Sequence, residues 1–286
     1  MIDPGRLLAW PFEEVVESFT RRDAAIYALG IGLGADPMDE GQLRFLHQED
    51  NLAFPTMAVT RCWGAPWTAD PRSGIDRRML VHGEQGLELL RPFPAEGTLR
   101  SRQRITAVVD KGAGKGAVVY SESMLSDAAT GEVYARLWRS IFARADGGFG
   151  GDGRAPRAPH ALPERAPDLV CDMPTSLNQA LVYRLSGDLN PLHSNPEAGR
   201  AAGFERPILH GLCSYGVAGH AVLGRFCGYD PRRLRCLDVR LSAPVFPGET
   251  LSIELWRDGD IVSFRAFVRA RGVKALDNGR AVLQGA

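Results

Sequence analysis

Residues 183–193 read Tyr-Arg-Leu-Ser-Gly-Asp-Leu-Asn-Pro-Leu-His, and a little further on Pro207-Ile208-Leu209-His210-Gly211 opens an Ala/Gly/Val-rich apolar run to Leu223. Asp188, Asn190 and His193 fall within six residues beside Gly187 and Pro191. Glycine permits unusual dihedrals and proline fixes φ, so the segment predicts a rigid polar turn that aims an Asp and a His at one point. Such a pair can serve acid/base chemistry, with ordinary pKa values near 3.9 and 6.5. By itself Asp-x-Asn-Pro is ordinary loop chemistry, since Asn and Asp often bond their own backbone. The apolar run changes that reading. It predicts a buried helix starting at Gly211, whose free N–H groups carry partial positive charge and can face a developing oxyanion. Close helix packing for Gly211 and a core position for His210 are the competing explanations.

Outward from this stretch, the chain echoes itself. Thr175 to Asp188 (TSLNQALVYRLSGD) matches Thr20 to Gly32 (TRRDAAIYALGIG). Each segment opens on a Thr suited to cap a helix, and each carries Tyr-x-Leu, at Tyr27 and Leu29 and at Tyr183 and Leu185. Leu209-His210-Gly211 echoes Val81-His82-Gly83, and Val245-Phe246-Pro247 before Thr250 echoes Pro92-Phe93-Pro94 before Thr98. Residues 146–168, rich in Gly and Pro and without apolar period, divide the two copies as a linker. The expected units are residues 1–145 and 169–286. The end of each reads as antiparallel strands, at 105–109, 117–125 and 132–144, then at 251–256 and 262–268. Helical segments followed by a strand meander make an α+β pattern. Tyr27-Ala28-Leu29-Gly30-Ile31-Gly32 lacks the Asp and His, which leaves one chemical site, in the second unit. Gly30-Ile31-Gly32-Leu33-Gly34 follows a helix pattern rather than a strand and makes a poor dinucleotide fingerprint.

Gly-Asp-x-Asn-Pro-x-His followed by Ile-Leu-His-Gly-Leu resembles the hydratase 2 motif of MaoC-like proteins. Leu80 to Gln85, Gly147 to Gly151, Thr175 to Gln179 and Pro244 to Gly248 extend the likeness to the 2-enoyl-CoA hydratase 2 unit of peroxisomal multifunctional enzymes. The resemblance implies a double hot-dog fold, two antiparallel sheets each wrapped on a helix and packed as a pseudo-dimer. It implies (R)-specific, reversible hydration of trans-2-enoyl-CoA to (3R)-hydroxyacyl-CoA. It makes Asp188 and His193 the catalytic pair, Asn190 the residue ordering their turn, and the Gly211 N–H the donor to the thioester oxygen. Glu84, His82, Gly83, Tyr183 and His210 are expected to bind or support substrate. A dehydratase acting on carrier-protein thioesters and a non-catalytic acyl-CoA-binding protein are the alternatives. Only 10 residues separate Gly83 from Pro94, against 35 between Gly211 and Pro247. The first half is thus expected to lack a long helix and to give room to a long or bulky acyl chain.

Composition narrows the field. The 34 basic and 34 acidic residues cancel, which excludes a polyanion-binding surface of the nucleic-acid kind. Only Lys111, Lys115 and Lys274 are lysines, and the arginine excess reads as genome composition. No apolar run reaches the ~20 residues of a membrane span, and Met1 to Phe12 lacks a signal-peptide core. The terminal Gln284-Gly285-Ala286 is no peroxisomal address, so a cytoplasmic location is expected. Five scattered cysteines without CxxC spacing suggest neither disulfides nor zinc. No cofactor or metal is expected, beyond coenzyme A as the carrier of the substrate, and a homodimer is the expected assembly.

Overall fold

A computed structural model describes residues 1–47, 49–151 and 153–285; Asp152 of the expected linker and Ala286 of the terminal tripeptide lie outside them. Ten strands occur among the described residues: β1 (Val15–Phe19), β2 (Leu80–Leu89), β3 (Gly97–Asp110), β4 (Ala117–Asp127), β5 (Val133–Ala143), β6 (Leu169–Pro174), β7 (Leu234–Leu241), β8 (Thr250–Asp258), β9 (Ile261–Val268) and β10 (Val273–Leu283). The α-helices are α1 (Pro4–Leu8), α2 (Arg21–Gly30), α3 (Glu40–Leu43), α4 (Gln179–Tyr183), α5 (Pro196–Ala201) and α6 (Gly211–Cys227).

The two copies join edge to edge into one sheet of order β1-β3-β4-β5-β2-β7-β10-β9-β8-β6, every pair antiparallel. The order on one side of the β2–β7 seam mirrors that on the other, as a duplicated unit requires. This is the double hot-dog arrangement, with its two five-stranded halves continuous across the seam. Side chains alternate between faces along a strand, so the register assigns them. Leu87 pairs with Leu237 on the face that packs under α6, while Gly86 pairs with Asp238 and Glu84 with Arg240 on the opposite face. Tyr215 of α6 donates its hydroxyl hydrogen to the Leu237 carbonyl at 2.9 Å. Leu212 to Leu223 is buried throughout, which explains an apolar run with no polar stripe.

The echo at Tyr27 and Tyr183 is structural: α2 and α4 pack on each other, with ring centroids 5.9 Å apart. Thr20 caps α2 in a capping box with Asp23. Thr175 does not cap α4; its hydroxyl donates to the Glu249 carbonyl and accepts from the Gly248 N–H. The His-Gly echo fails. His82 and Gly83 lie inside β2, whereas His210 precedes a helix. In chain order, the counterpart of α6 in the first half is a six-residue 3-10 turn, Pro55–Thr60, against seventeen residues in α6.

Residues 146–168 contain no helix or strand among those described, yet the segment is docked. Asp110 accepts the Gly148 and Gly150 N–H groups, and Arg157 lies over the Trp138 ring at 3.9 Å. The His160 ring bonds Ser263, and the His160 carbonyl accepts from Asn278. Among the described residues, no helix is long and apolar enough to cross a membrane, and all five cysteines are free.

Candidate active site

The turn predicted at 187–193 forms as the sequence demands. Gly187 takes φ +118°, a left-handed conformation that side chains resist. Asp188 Oδ1 accepts the Asn190 N–H at 3.1 Å, and Asn190 Oδ1 accepts the Leu192 N–H at 3.1 Å. Those two bonds fold the backbone into the 3-10 turn Pro191–His193, with proline at its first position. Asn190 therefore orders the segment that carries Asp188 and His193.

His193 is 9% exposed and its Nδ1 lies 2.9 Å from the Ile208 carbonyl. A carbonyl can only accept, so Nδ1 carries the proton and Nε2 keeps its lone pair. Burial pushes the His193 pKa below the usual imidazole range, against the opposing pull of the Ile208 bond and the Asp188 charge. His210, 1% exposed, sits at the N-terminal boundary of α6 and donates through Nε2 to the Asp188 carbonyl at 3.1 Å. Its ring stacks on His193 with centroids 3.8 Å apart and planes inclined by 27°. Burial, and then the neighbouring His193, depress its pKa. Tyr183, also 1% exposed, packs against His210 at 5.0 Å. Tyr183 and His210 thus back the turn from inside. Among the described residues no side chain caps α6, so the first N–H groups of that helix, beginning at Gly211, are left for another acceptor.

Asp188, His193 and His210 offer ligating atoms all within 4.8 Å of one another, a donor set the sequence did not suggest. The two nearly parallel rings keep their in-plane lone pairs in separate planes, which suits a tetrahedral ion poorly.

The residues expected from the first half divide. A register shift between His82 and Glu84 re-aims the strand. His82 faces the α6 side, where the Asp188 charge reaches it; burial and then Arg139 push its pKa down. Glu84 faces the other side, where it accepts from Ser140 Oγ at 3.0 Å and lines an open cavity of about 270 Å³ that residues 156–160 also line. Glu84 is therefore separated from Asp188 by the sheet itself. Gly83 is a strand residue whose Cβ position is filled by Ser140 Oγ at 2.7 Å. Sequence reading missed Arg61, which follows the 3-10 turn Pro55–Thr60 and reaches the Ser186 carbonyl just before the Gly187–Asp188 corner. Its contact spans 125 positions, and no local pattern announces it.

Burial of neutral imidazoles makes the fold acid-sensitive. His82, His193, His210 and His220 all have depressed pKa values, with His220 down to about 4. The unfolded chain, with imidazoles near 6.5, then binds more protons below that pH. The stability these groups provide is full above pH 6.5 and is lost as pH falls toward 4, at up to about 1.4 kcal/mol per pH unit per group. Asp238, raised to about 6 by burial, offsets one such group in the same range. We expect the melting temperature to fall steadily between pH 6.5 and 4.5 in a thermal-shift titration; a flat profile there would contradict the neutral assignments.

Comparison with known proteins agrees with this architecture. Residues 18–145 match the MFE-2 hydratase 2 N-terminal domain, and residues 159–278 match the MaoC like domain. The chain is similar to a probable enoyl-CoA hydratase 2 of Dictyostelium discoideum, 37% identical over 99% of this chain and 97% of that one. It is similar to 3-hydroxyacyl-thioester dehydratase Y of Mycobacterium tuberculosis, 42% identical over 90% of this chain and 88% of that one. A crystal structure of a MaoC-like dehydratase from Phytophthora capsici superimposes with TM-score 0.86 at 36% identity, covering 99% of both chains.

Proposed function

Because the chain belongs to the MaoC-like hydratase 2 family and is a hydro-lyase, we propose that it hydrates trans-2-enoyl-CoA reversibly to (3R)-hydroxyacyl-CoA at the Asp188–His193 turn. The observation that carries this reading is that Asp188 and His193 bring side-chain atoms within 4.8 Å of His210, the residue before the start of α6 at Gly211. The Asp188 carboxylate, the lone-pair-bearing His193 Nε2 and the Gly211 N–H are the three groups assigned to the reaction.

Each group meets one demand of the reaction. Water adds its oxygen at C3 and must give up a proton. C2 must gain one. The electron pair pushed from the C2–C3 double bond rests meanwhile on the thioester oxygen. Asp188 and His193, held on one turn, take the proton from the attacking water and deliver one to C2. The Gly211 N–H, reinforced by the α6 dipole, receives the oxygen's developing charge. In reverse the same groups dehydrate a (3R)-hydroxyacyl thioester. The M. tuberculosis relative named a 3-hydroxyacyl-thioester dehydratase favours that direction as the second reading.

The replacement of a seventeen-residue helix by the turn Pro55–Thr60 supports an acyl chain directed into the first half. Trans-2-enoyl-CoA substrates from C4 to C16, assayed by loss of the conjugated enoyl absorbance, test the proposal. We expect C10 to C16 chains to match or exceed C4 in kcat/KM. A strong preference for C4 would contradict the acyl-chain placement, and no hydration of any chain would contradict the reaction.

A further inference from the structure

We infer that the first half, which lacks the Asp and His of the motif, nevertheless takes part in catalysis through Arg61, a positioning residue that holds the catalytic turn by its backbone. The inference rests on the hydratase reading above for its kinetic consequence, but its structural content stands apart from it.

Arg61 follows the 3-10 turn Pro55–Thr60 and is 7% exposed. Its Nη2 donates to the Ser186 carbonyl at 2.8 Å, and this carbonyl immediately precedes the Gly187–Asp188 corner. Its Nη1 donates to Glu17 Oε1 at 2.9 Å, and Nε and Nη2 share Thr60 Oγ1 at 3.2 Å. One planar fork thus joins β1, the 3-10 turn and the segment before Asp188, the last of these 125 positions beyond Arg61. Arginine suits this role because its five donors lie in a fixed plane and its charge is permanent. A charge-assisted bond to a carbonyl is also stronger than a neutral one.

The neighbouring backbone shows that the position is specified. Cys62, a non-glycine residue, adopts φ +55°. Glu17 secures that conformation by accepting the Cys62 N–H with the carboxylate oxygen that Arg61 does not use. Backbone held in a sparsely populated region persists only where surrounding contacts over-determine it. Glu17 therefore fixes both the guanidinium and the corner that presents it. Asp188 itself hangs between two backbone restraints: Arg61 on the carbonyl two residues before it, and His210 on its own carbonyl at 3.1 Å. Without the first, Gly187 can swing and carry the carboxylate with it. A displacement of about 1 Å can cost about 100-fold in rate.

Arg61→Met keeps an unbranched apolar stem and removes the donors. Because this leaves the Glu17 charge unpaired, the pair Arg61→Met with Glu17→Gln is made as well. Hydrogen exchange by mass spectrometry is read over residues 184–193 and over α6, together with kcat and KM on a trans-2-enoyl-CoA. We expect both variants to exchange at least about 10-fold faster across 184–193 while α6 stays within about 2-fold. We expect kcat to fall at least about 10-fold with KM within about 3-fold. Unchanged exchange in the turn would overturn the inference, as would equally accelerated exchange in α6, which would mean general destabilisation. A wild-type protein without turnover would retire the hydratase reading, while the exchange data still decided whether Arg61 holds the turn.

Discussion

Asp188→Asn is expected to lower kcat at least about 100-fold while the protein stays folded. The substitution is nearly isosteric, and the Asn side-chain carbonyl can still accept the Asn190 N–H that Asp188 Oδ1 now accepts at 3.1 Å. Gly187 keeps its left-handed φ and the 3-10 turn at Pro191 keeps its Asn190 cap. What disappears is the carboxylate's ability to exchange a proton. KM should change little, because the proposed role of the side chain is proton transfer rather than binding of coenzyme A. The melting temperature should stay within a few degrees of wild type. Steady-state kinetics with a melting curve on the same sample separates this result from unfolding. Turnover close to wild type in a folded Asp188→Asn protein would remove Asp188 from the chemistry.

Gly211→Pro is expected to cost about 100- to 1000-fold in kcat, the loss that follows removal of one oxyanion donor. Proline at the first position of a helix is tolerated, because the N–H it lacks has no intrahelical partner there. His210 has φ −59° and ψ 135°, the extended conformation that a residue before proline prefers. The substitution therefore deletes one N–H with α6 retained. Steric pressure is the competing explanation, since a Cβ at this position would meet Leu241 Cδ1 at 2.7 Å. Gly211→Ala is the control: it brings the same Cβ against the far end of a flexible side chain and keeps the N–H. If Gly211→Ala proved as slow as Gly211→Pro, crowding rather than a missing donor would explain both.

The turn at 187–193 was the most legible part of the chain, because its rules are local. Gly187, Asn190 and Pro191 act on their own backbone, and the structure uses each where the sequence places it. The strand meanders were legible for a similar reason: alternation at 251–256 and 262–268 reports one buried face. β10 escaped notice because its alternation breaks. Asn278 takes φ +53° and the register shifts between Asp277 and Arg280. The His-Gly echo misled because a tripeptide does not distinguish a strand interior from a helix start. Glu84 was drawn toward the site by the family resemblance, and only the bulge after His82 shows that the two face opposite sides. The Arg61 contact and the docking of residues 146–168 depend on the closed sheet, so neither leaves a local trace.

The most direct test of the account is the product itself. The purified protein is incubated with trans-2-decenoyl-CoA in water, and the hydroxyacyl-CoA formed is resolved by chiral chromatography. The account predicts (3R)-hydroxydecanoyl-CoA, formed by the wild-type protein and essentially absent with Asp188→Asn. A (3S) product, or a (3R) product formed equally well without the Asp188 carboxylate, would contradict it.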